Sequence, residues 1–415
     1  MKKEKPILEK KYLLPFVLVT SLFLLWGLAN NMTDTLLAAF RNIMDMSDTQ
    51  TSFIQMAFYG AYFCVALPAA LFIKRHSFKS GVLLGLVLYA LGALLFLPAA
   101  MASSYAFYLV AIYIMASGCS VLETTANPYV MSMGSPETAT RRLNIAQSFN
   151  PIGSIVGIMM SKYFILEDLS LYSVSGTYSV SGTYSVLGIV LLLIMVVMIF
   201  SNMPQGRSAE GGDGLRAVFV RLSRNNTFVY GVVAQFFYVG AQICVWSFTI
   251  RIVMQELNVN ESEASTYYLI SIVGFCLSRF VYTWLMKYFN PVWLLVFSGV
   301  ASLLCTCLVA GGAGGGYGLV VALVCVSVFM SMMFPTIYGT ALESVLEGER
   351  PEDAKIGAST LIMSILGGAL ITPVQGIVSD NAGIYISYLV PCGCFAVVLA
   401  YALFCLRRKK IKIQK

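Results

Sequence analysis

Apolar runs long enough to cross a lipid bilayer follow one another along almost the whole chain. A transmembrane helix needs roughly 20 predominantly apolar residues, and charged residues or Gly/Pro clusters separate runs of about that length. Hydrophobic residues make up 58% of the chain and charged residues only 11%, against a usual charged share of about 25% in soluble domains. A water-soluble fold could not bury so much apolar surface. The sequence therefore predicts an all-α membrane protein.

We predict twelve transmembrane helices. The predicted spans are 12–40, 51–73, 80–100, 105–133, 143–165, 183–202, 227–252, 263–286, 291–312, 317–342, 356–380 and 384–406. The first span is long, contains Asn30, Asn31 and Asp34, and lacks the small-residue cleavage pattern that follows a short apolar core in a signal peptide. It is therefore retained as the first membrane helix.

The distribution of Lys and Arg predicts the orientation. Most of the 27 basic residues fall in the two tails and in alternate loops, and cytoplasmic loops are enriched in such residues. Arg41, Lys162 and Arg251 are the outer exceptions, and Arg279 lies within a span. Both termini are thus expected in the cytoplasm. The net charge of +7 is a topology signal and gives no reason to expect nucleic-acid binding.

One predicted cytoplasmic loop departs from this pattern because it is acidic. After the tenth span the chain carries Glu343, Glu347, Glu349, Glu352 and Asp353. Acidic residues contribute little to the orientation rule, so the prediction stands.

The longest internal polar segment divides the predicted spans into six and six. We expect a cytoplasmic tail over 1–11, a six-helix half over 12–202, a cytoplasmic loop over 203–226, a second six-helix half over 227–406 and a basic tail over 407–415. This layout is typical of transporters that bind substrate at mid-membrane between two halves.

The chain also contains a short local repeat. The sequence Tyr-Ser-Val-Ser-Gly-Thr at 172–177 recurs at 178–183. We expect it in an exposed outer loop, where a duplication is tolerated, and assign it no function.

The sequence gives no sign of a metal site, a disulfide framework or an enzyme. All ten cysteines fall in apolar spans and are expected to be small core side chains, and Cys392 and Cys394 are too close in sequence for zinc spacing. His76, the single histidine, is expected to be a solvated loop residue. We predict no cofactor other than a coupling proton.

Ionisable side chains within the first half need a functional or structural reason, because each costs at least ~2.5 kcal/mol at mid-bilayer. Asn31 and Asp34 are three residues apart in the first span, and Glu123 and Asn127 are four apart in the fourth. Each pair therefore shares a helix face. Such faces can donate and accept hydrogen bonds towards a cavity.

Further candidates lie in the fifth and seventh spans. Gln147 and Asn150 add amides to the first half, while Tyr238, Gln242 and Trp246 step by four along one face in the second. Aromatic rings and a few polar groups are the usual mixture in a small-molecule pocket.

This set suits a sugar bound together with a proton. Sugar hydroxyls donate and accept hydrogen bonds, and carboxylates and amides can satisfy both roles. Desolvation favours protonation of a carboxyl group in a low-dielectric cavity, so we expect Glu123 to carry the proton. Asp34 is expected to bind sugar or to be a second protonatable group. Alternatively, these polar groups pair with one another between helices, and Arg279 either holds a closed gate or snorkels to the surface.

Five strings together resemble the fucose permease branch of the major facilitator superfamily. They are Trp26–Asp34, Gln55–Tyr62, Leu122–Pro128, Leu143–Asn150 and Tyr238–Gln242. The resemblance covers nearly the whole chain. It implies the major facilitator fold and a monomeric, inward, proton-coupled L-fucose symporter that works by alternating access in a bacterial inner membrane.

The resemblance also implies roles for individual residues. Asp34 and Glu123 match the family's central acidic pair, and Asn31 and Gln147 match its amide ligands. The related glucose/galactose permeases carry Gln where this chain has Glu123, which favours fucose. Thr33 and Ala38 depart from the family pattern in the first helix, so a closely related hexose or pentose stays open as the substrate. Alternatives are a glucose/galactose-type permease, another small-solute transporter, or a membrane sugar sensor without turnover.

Overall fold

The computed structural model describes residues 7–43, 48–102, 104–161, 174–201, 203, 214–312, 315–348, 350 and 353–414. Within these ranges, side chains are described except at 29–53, 55, 158, 160–161, 174–181, 183, 261–262 and 409–414. Every regular element in the described ranges is helical.

Helices lie at each of the twelve predicted spans. In the first part of the chain they are α1 (Leu13–Ile43), α2 (Asp48–Arg75), α3 (Phe78–Leu94), α4 (Phe96–Met101), α5 (Tyr105–Ser132), α6 (Ala139–Gln147), α7 (Asn150–Ser161) and α8 (Val174–Phe200). The second part contains α9 (Leu215–Arg224), α10 (Asn226–Leu257), α11 (Glu261–Leu285), α12 (Pro291–Ala310), α13 (Tyr317–Met330), α14 (Met333–Leu346), α15 (Ala354–Met363), α16 (Gly367–Ala382), α17 (Ile384–Ser387) and α18 (Leu389–Gln414). Among the residues described, ten helical segments are long and apolar enough to cross a membrane, and Tyr184–Phe200 is a shorter apolar helix.

Several predicted spans are interrupted, and proline explains two of the breaks. The fifth span divides into α6 and α7 just before Pro151, and the tenth divides into α13 and α14 just before Pro335. Proline has no backbone N–H and clashes with the carbonyl four residues earlier. The carbonyl oxygens of Gln147 and Ser331 therefore lose their helical donors.

The local repeat does not form the outer loop that we predicted. Residues 172 and 173 lie outside the described ranges, but 174–183 form the first turns of α8, so that prediction was wrong. A helix satisfies its own backbone hydrogen bonds, so it can extend beyond the apolar part of α8, Tyr184–Phe200, into the Ser/Gly/Thr sequence.

Packing divides the chain into two compact units, and each unit includes a short segment from the other predicted half. The first unit comprises 1–135, 149–210 and 354–363, and the second comprises 136–148, 211–353 and 364–415. Within the first unit α15 packs on α2 and α5, and within the second α6 packs on α11 and α14. The six-and-six division of the sequence stays a prediction.

Glycine permits a close helix contact in each unit. In the first, a Cβ on Gly153 of α7 would lie 1.8 Å from the Leu24 carbonyl oxygen of α1. In the second, a Cβ on Gly367 of α16 would lie 2.0 Å from the Phe236 carbonyl oxygen of α10. Small residues allow such close backbone approach between membrane helices. The two contacts join the first span to the fifth and the seventh to the eleventh, so the helix pairing repeats.

Candidate functional site

The first predicted polar face lies on α1. Just before this face, α1 is anchored to α2 by a hydrogen bond. The Trp26 indole N–H donates to the Tyr62 hydroxyl oxygen at 2.7 Å in a buried contact between α1 and α2. The side chains of Asn31 and Asp34 lie outside the part of the chain whose side chains are described. Their predicted roles therefore stay predictions.

Asn150 contributes to the same anchoring of α1. Its amide nitrogen donates to the Phe23 carbonyl oxygen at 3.2 Å, and the Tyr89 hydroxyl donates to the Leu25 carbonyl oxygen at 3.0 Å. One polar atom predicted to bind a ligand is thus engaged with backbone. Asn150 positions the helix that carries Asn31.

Glu123 and Asn127 lie on the interior part of α5. The Glu123 side chain is 8% exposed, and Asn127 is fully buried. No residue with a described side chain forms an ion pair or hydrogen bond with the Glu123 carboxyl group. One turn earlier, Ser120 donates to the Tyr62 carbonyl oxygen at 3.3 Å, which places this face of α5 against α2. A buried carboxyl group without a fixed partner is suited to exchange a proton.

The aromatic face of α10 is partly engaged in packing. The Tyr238 hydroxyl donates to the Met330 carbonyl oxygen at 3.0 Å, and its side chain is fully buried. The Trp246 indole N–H donates to the Ser327 hydroxyl oxygen at 3.3 Å. Gln242, between them on the face, is partly exposed. Of the three, Gln242 is the side chain with polar atoms available to a ligand.

Gln235 was missed by the sequence analysis. Its side chain is fully buried, and neither of its amide atoms has a hydrogen-bond partner among the described residues. Gly231 faces Ala341, and the rings of Tyr238 and Phe334 lie 6.4 Å apart, so Gln235 faces α14 between those contacts. Extending the Tyr238/Gln242 face by one turn would have identified it.

Arg279 of α11 binds both carbonyl groups that the prolines release. Its Nη1 donates to the Gln147 carbonyl oxygen at 2.9 Å, and its Nε donates to the Ser331 carbonyl oxygen at 2.7 Å. The side chain is only 4% exposed, and its guanidinium carbon lies 4.8 Å from the Phe275 ring centroid. Of the two roles left open for Arg279, snorkelling is excluded in this structure. The predicted site residue Gln147 thus contacts α11 through its backbone.

Glu343 of α14 holds the other end of α6. Its carboxylate accepts hydrogen bonds from the Thr140 N–H at 2.9 Å and from the Thr140 hydroxyl at 2.5 Å. A negative charge stabilises a helix N-terminus, and a positive charge stabilises a C-terminus. Glu343 and Arg279 therefore complement the dipole of α6 at its two ends, and we call this arrangement the α6 clamp.

A further contact lies between the ends of the clamp. The Asn144 amide nitrogen donates to the Thr336 hydroxyl oxygen of α14 at 3.3 Å. All these contacts lie within the second unit.

The predicted site residues are distributed over both units. Glu123, Asn127 and Asn150 belong to the first. Gln147, Tyr238, Gln242 and Trp246 belong to the second. That they line one cavity stays a prediction. Within the described part of the chain, no group of three His, Cys, Asp or Glu side chains is placed to hold a metal ion.

Comparison with known proteins identifies similar chains over almost the full length. The profile of the family described as the Major Facilitator Superfamily matches residues 16–354. The chain is 38% identical over 425 residues to an L-fucose-proton symporter of Haemophilus influenzae, covering 95% of this chain and 97% of that protein. It is 30% identical over 403 residues to a glucose/galactose transporter of Brucella abortus, covering 95% of each.

A solved structure is similar to this chain in fold as well as in sequence. The crystal structure of the transporter FucP in the outward conformation matches with a TM-score of 0.86 and 36% identity, covering 95% of this chain and 99% of that chain. The predicted all-α, twelve-helix fold is thereby confirmed.

Proposed function

Since this chain belongs to the major facilitator superfamily, we propose that it is a proton-coupled symporter that imports L-fucose, or a closely related sugar, by alternating access. The similar L-fucose-proton symporter covers nearly all of the chain at 38% identity. The observation that carries proton coupling is the buried Glu123 carboxyl group, which has no partner among the described side chains. The protein would act as a monomer in a bacterial inner membrane, with both termini in the cytoplasm.

The proposed coupling pair is Glu123 and Asp34. Holding the charged Glu123 carboxylate away from water costs free energy. Protonation neutralises the group and removes that cost. Sugar and proton would then enter together, and both would leave on the other side.

The proposed sugar ligands form two groups, those that we expect to contact the sugar and those that we assign chiefly to positioning. Asn31, Asn127, Gln147 and Gln242 are the amide candidates, and Trp246 offers a ring face for stacking. Tyr238 and Asn150 each commit one polar group to backbone, so we assign them chiefly to positioning.

The α6 clamp supports alternating access. By the distribution of Lys and Arg, α6 lies at the cytoplasmic side, and it belongs in sequence to the first six spans while packing on α11 and α14. A clamp of this kind would hold the cytoplasmic side closed, and its release would open that side.

Uptake into proteoliposomes tests the proposal. Labelled L-fucose uptake should rise with an inward proton gradient, and uptake that ignores the gradient would contradict symport. Glu123→Gln mimics the protonated state, so we expect exchange to persist and gradient-driven accumulation to be lost. Glu347→Gln, which removes a charge from an exposed side chain, is the control and should accumulate sugar normally.

The alternatives give different results in the same vesicles. A glucose/galactose-type permease, suggested by the Brucella relative, would take up labelled glucose and lose little to competing L-fucose. A sensor would bind sugar and never equilibrate it across the bilayer. Gln242→Leu should weaken L-fucose binding about tenfold, the effect of losing one or two buried hydrogen bonds, without lowering thermal stability.

A further inference from the structure

Two cysteines from distant parts of the sequence lie side by side in the second unit. The sulfur atoms of Cys307 in α12 and Cys392 in α18 are 3.2 Å apart. Both are free thiols, and α12 packs along α18. The transport cycle proposed above does not use this pair.

The pair lies near one end of both helices and at the protein surface. Cys307 is exposed and Cys392 is partly exposed. Cys307 is three residues before the end of α12, and Cys392 is three residues after the start of α18. Because α18 continues from there into the basic tail, the thiols lie at the opposite end from that tail. Both thiols lie within apolar spans, Cys307 three residues and Cys392 eight residues from the end opposite the tail, and in the proposed orientation that end faces the outer, oxidising side.

We propose that Cys307 and Cys392 form a reversible disulfide between α12 and α18. A disulfide bond is 2.03–2.05 Å long, so the sulfurs must approach by only about 1.2 Å. Disulfides persist in exported regions of bacterial proteins.

The reaction requires an oxidant, which we assign to the class of disulfide-bonded thiol oxidants. One cysteine thiolate attacks the oxidant disulfide and releases the first oxidant thiol. The second cysteine thiolate attacks the resulting mixed disulfide and releases the second oxidant thiol. The two cysteines lose two electrons and two protons in total, and the oxidant is reduced to two thiols. The bond ties neighbouring helices of one unit, so it should leave transport intact.

Dithiodipyridine tests the chemistry in the purified, reduced protein. A paired site releases two thiopyridone molecules and retains no pyridyl group, whereas a single accessible thiol retains one pyridyl group. We expect the peptides that contain Cys307 and Cys392 to be recovered linked after digestion. Cys64, the exposed cysteine of α2, should retain a pyridyl group and serves as the internal control.

Single substitutions make the result specific. In Cys392→Ser, Cys307 should retain a pyridyl group, and in Cys307→Ser the same should hold for Cys392. If both cysteines of the unsubstituted protein carry separate pyridyl groups, or if neither reacts, the proposal is wrong. This measurement on the unsubstituted protein does not depend on either variant folding.

The state in cells tests the compartment, which depends on the proposed orientation. Alkylation of intact cells before extraction should leave Cys307 and Cys392 unmodified, and reduction should then make both alkylatable. Alkylation of both without reduction would overturn the disulfide in the native membrane. Protease access to the basic tail in inverted vesicles measures the orientation separately, so an error in topology is distinguishable from an error in the cysteine chemistry.

Discussion

Replacing Glu343 by Gln removes the charge from the N-terminal end of the α6 clamp and keeps its size. In the structure the carboxylate accepts two hydrogen bonds from Thr140. Hydrogen bonds to charged groups contribute about 1.5–3 kcal/mol and neutral ones about 0.5–1.5 kcal/mol. The loss of favourable charge at a helix N-terminus acts in the same direction, by about 0.3–1 kcal/mol.

Because Glu343 is partly exposed, solvent screening reduces these contributions, and we expect the closed state of α6 to lose about 1–2 kcal/mol, a 5- to 30-fold change in the opening equilibrium. Arg142 gives a readout, because this side chain of α6 is fully buried. Trypsin can cleave after it only when α6 leaves its partners and unfolds locally. If opening and closing are fast relative to cleavage, the cleavage rate follows the open population. The rate should rise by the same 5- to 30-fold.

Glu347→Gln is the matched control, because it removes the same charge from an exposed side chain immediately after the end of α14. Cleavage after Arg224, which is exposed at the end of α9, corrects for protease activity and should be equal in all variants. Thr140→Val removes only the hydroxyl donor and should have a smaller effect, with a coupling energy to Glu343 of about 0.5 kcal/mol or more in a double-mutant cycle. Equal cleavage after Arg142 in Glu343→Gln and Glu347→Gln would refute the clamp.

Three further substitutions test the contacts around the site. Arg279→Lys cannot donate from two fixed nitrogens to two carbonyl groups, so proteoliposome uptake should fall and cleavage after Arg142 should rise; normal uptake would contradict its positioning role. Gly153→Ala places a Cβ 1.8 Å from the Leu24 carbonyl oxygen and should lower the Tm by several degrees, whereas Gly182→Ala meets nothing within 4 Å and should not. Gln235→Leu removes a buried amide without a described partner, whose desolvation costs about 1–3 kcal/mol. It should raise the Tm, and a lower Tm would reveal a bonded amide.

The membrane fold could be predicted because hydropathy reports directly on it. Runs of about 20 apolar residues, Lys and Arg in alternate loops, and a polar centre follow from the solvent that surrounds each segment. The positions of Glu123 and Asn127 on one face followed from helical spacing alone. Burial of the Glu123 carboxyl group then agrees with the expectation from its place in an apolar span.

Contacts between segments far apart in sequence could not be predicted in this way. Pro151 and Pro335 each indicate a released carbonyl group, but sequence does not say which donor reaches it. The donor is Arg279, and it reaches both. The burial of the Arg279 guanidinium group thereby becomes explicable, because two carbonyl oxygens and the Phe275 ring replace its hydration.

The structure gives a physical reason for the acidic residues that depart from the charge pattern after the tenth span. Two of these residues are committed to other segments of the second unit: Glu343 to the N-terminus of α6, and Asp353 to Arg221 of α9, with an Nε–Oδ2 distance of 2.7 Å. Asp353 is 4% exposed, and Arg221 donates to both of its carboxylate oxygens. Asp353 immediately precedes α15 in the chain. Acidic residues in and after α14 are thus engaged in contacts within the second unit, which accounts for negative charge in this segment.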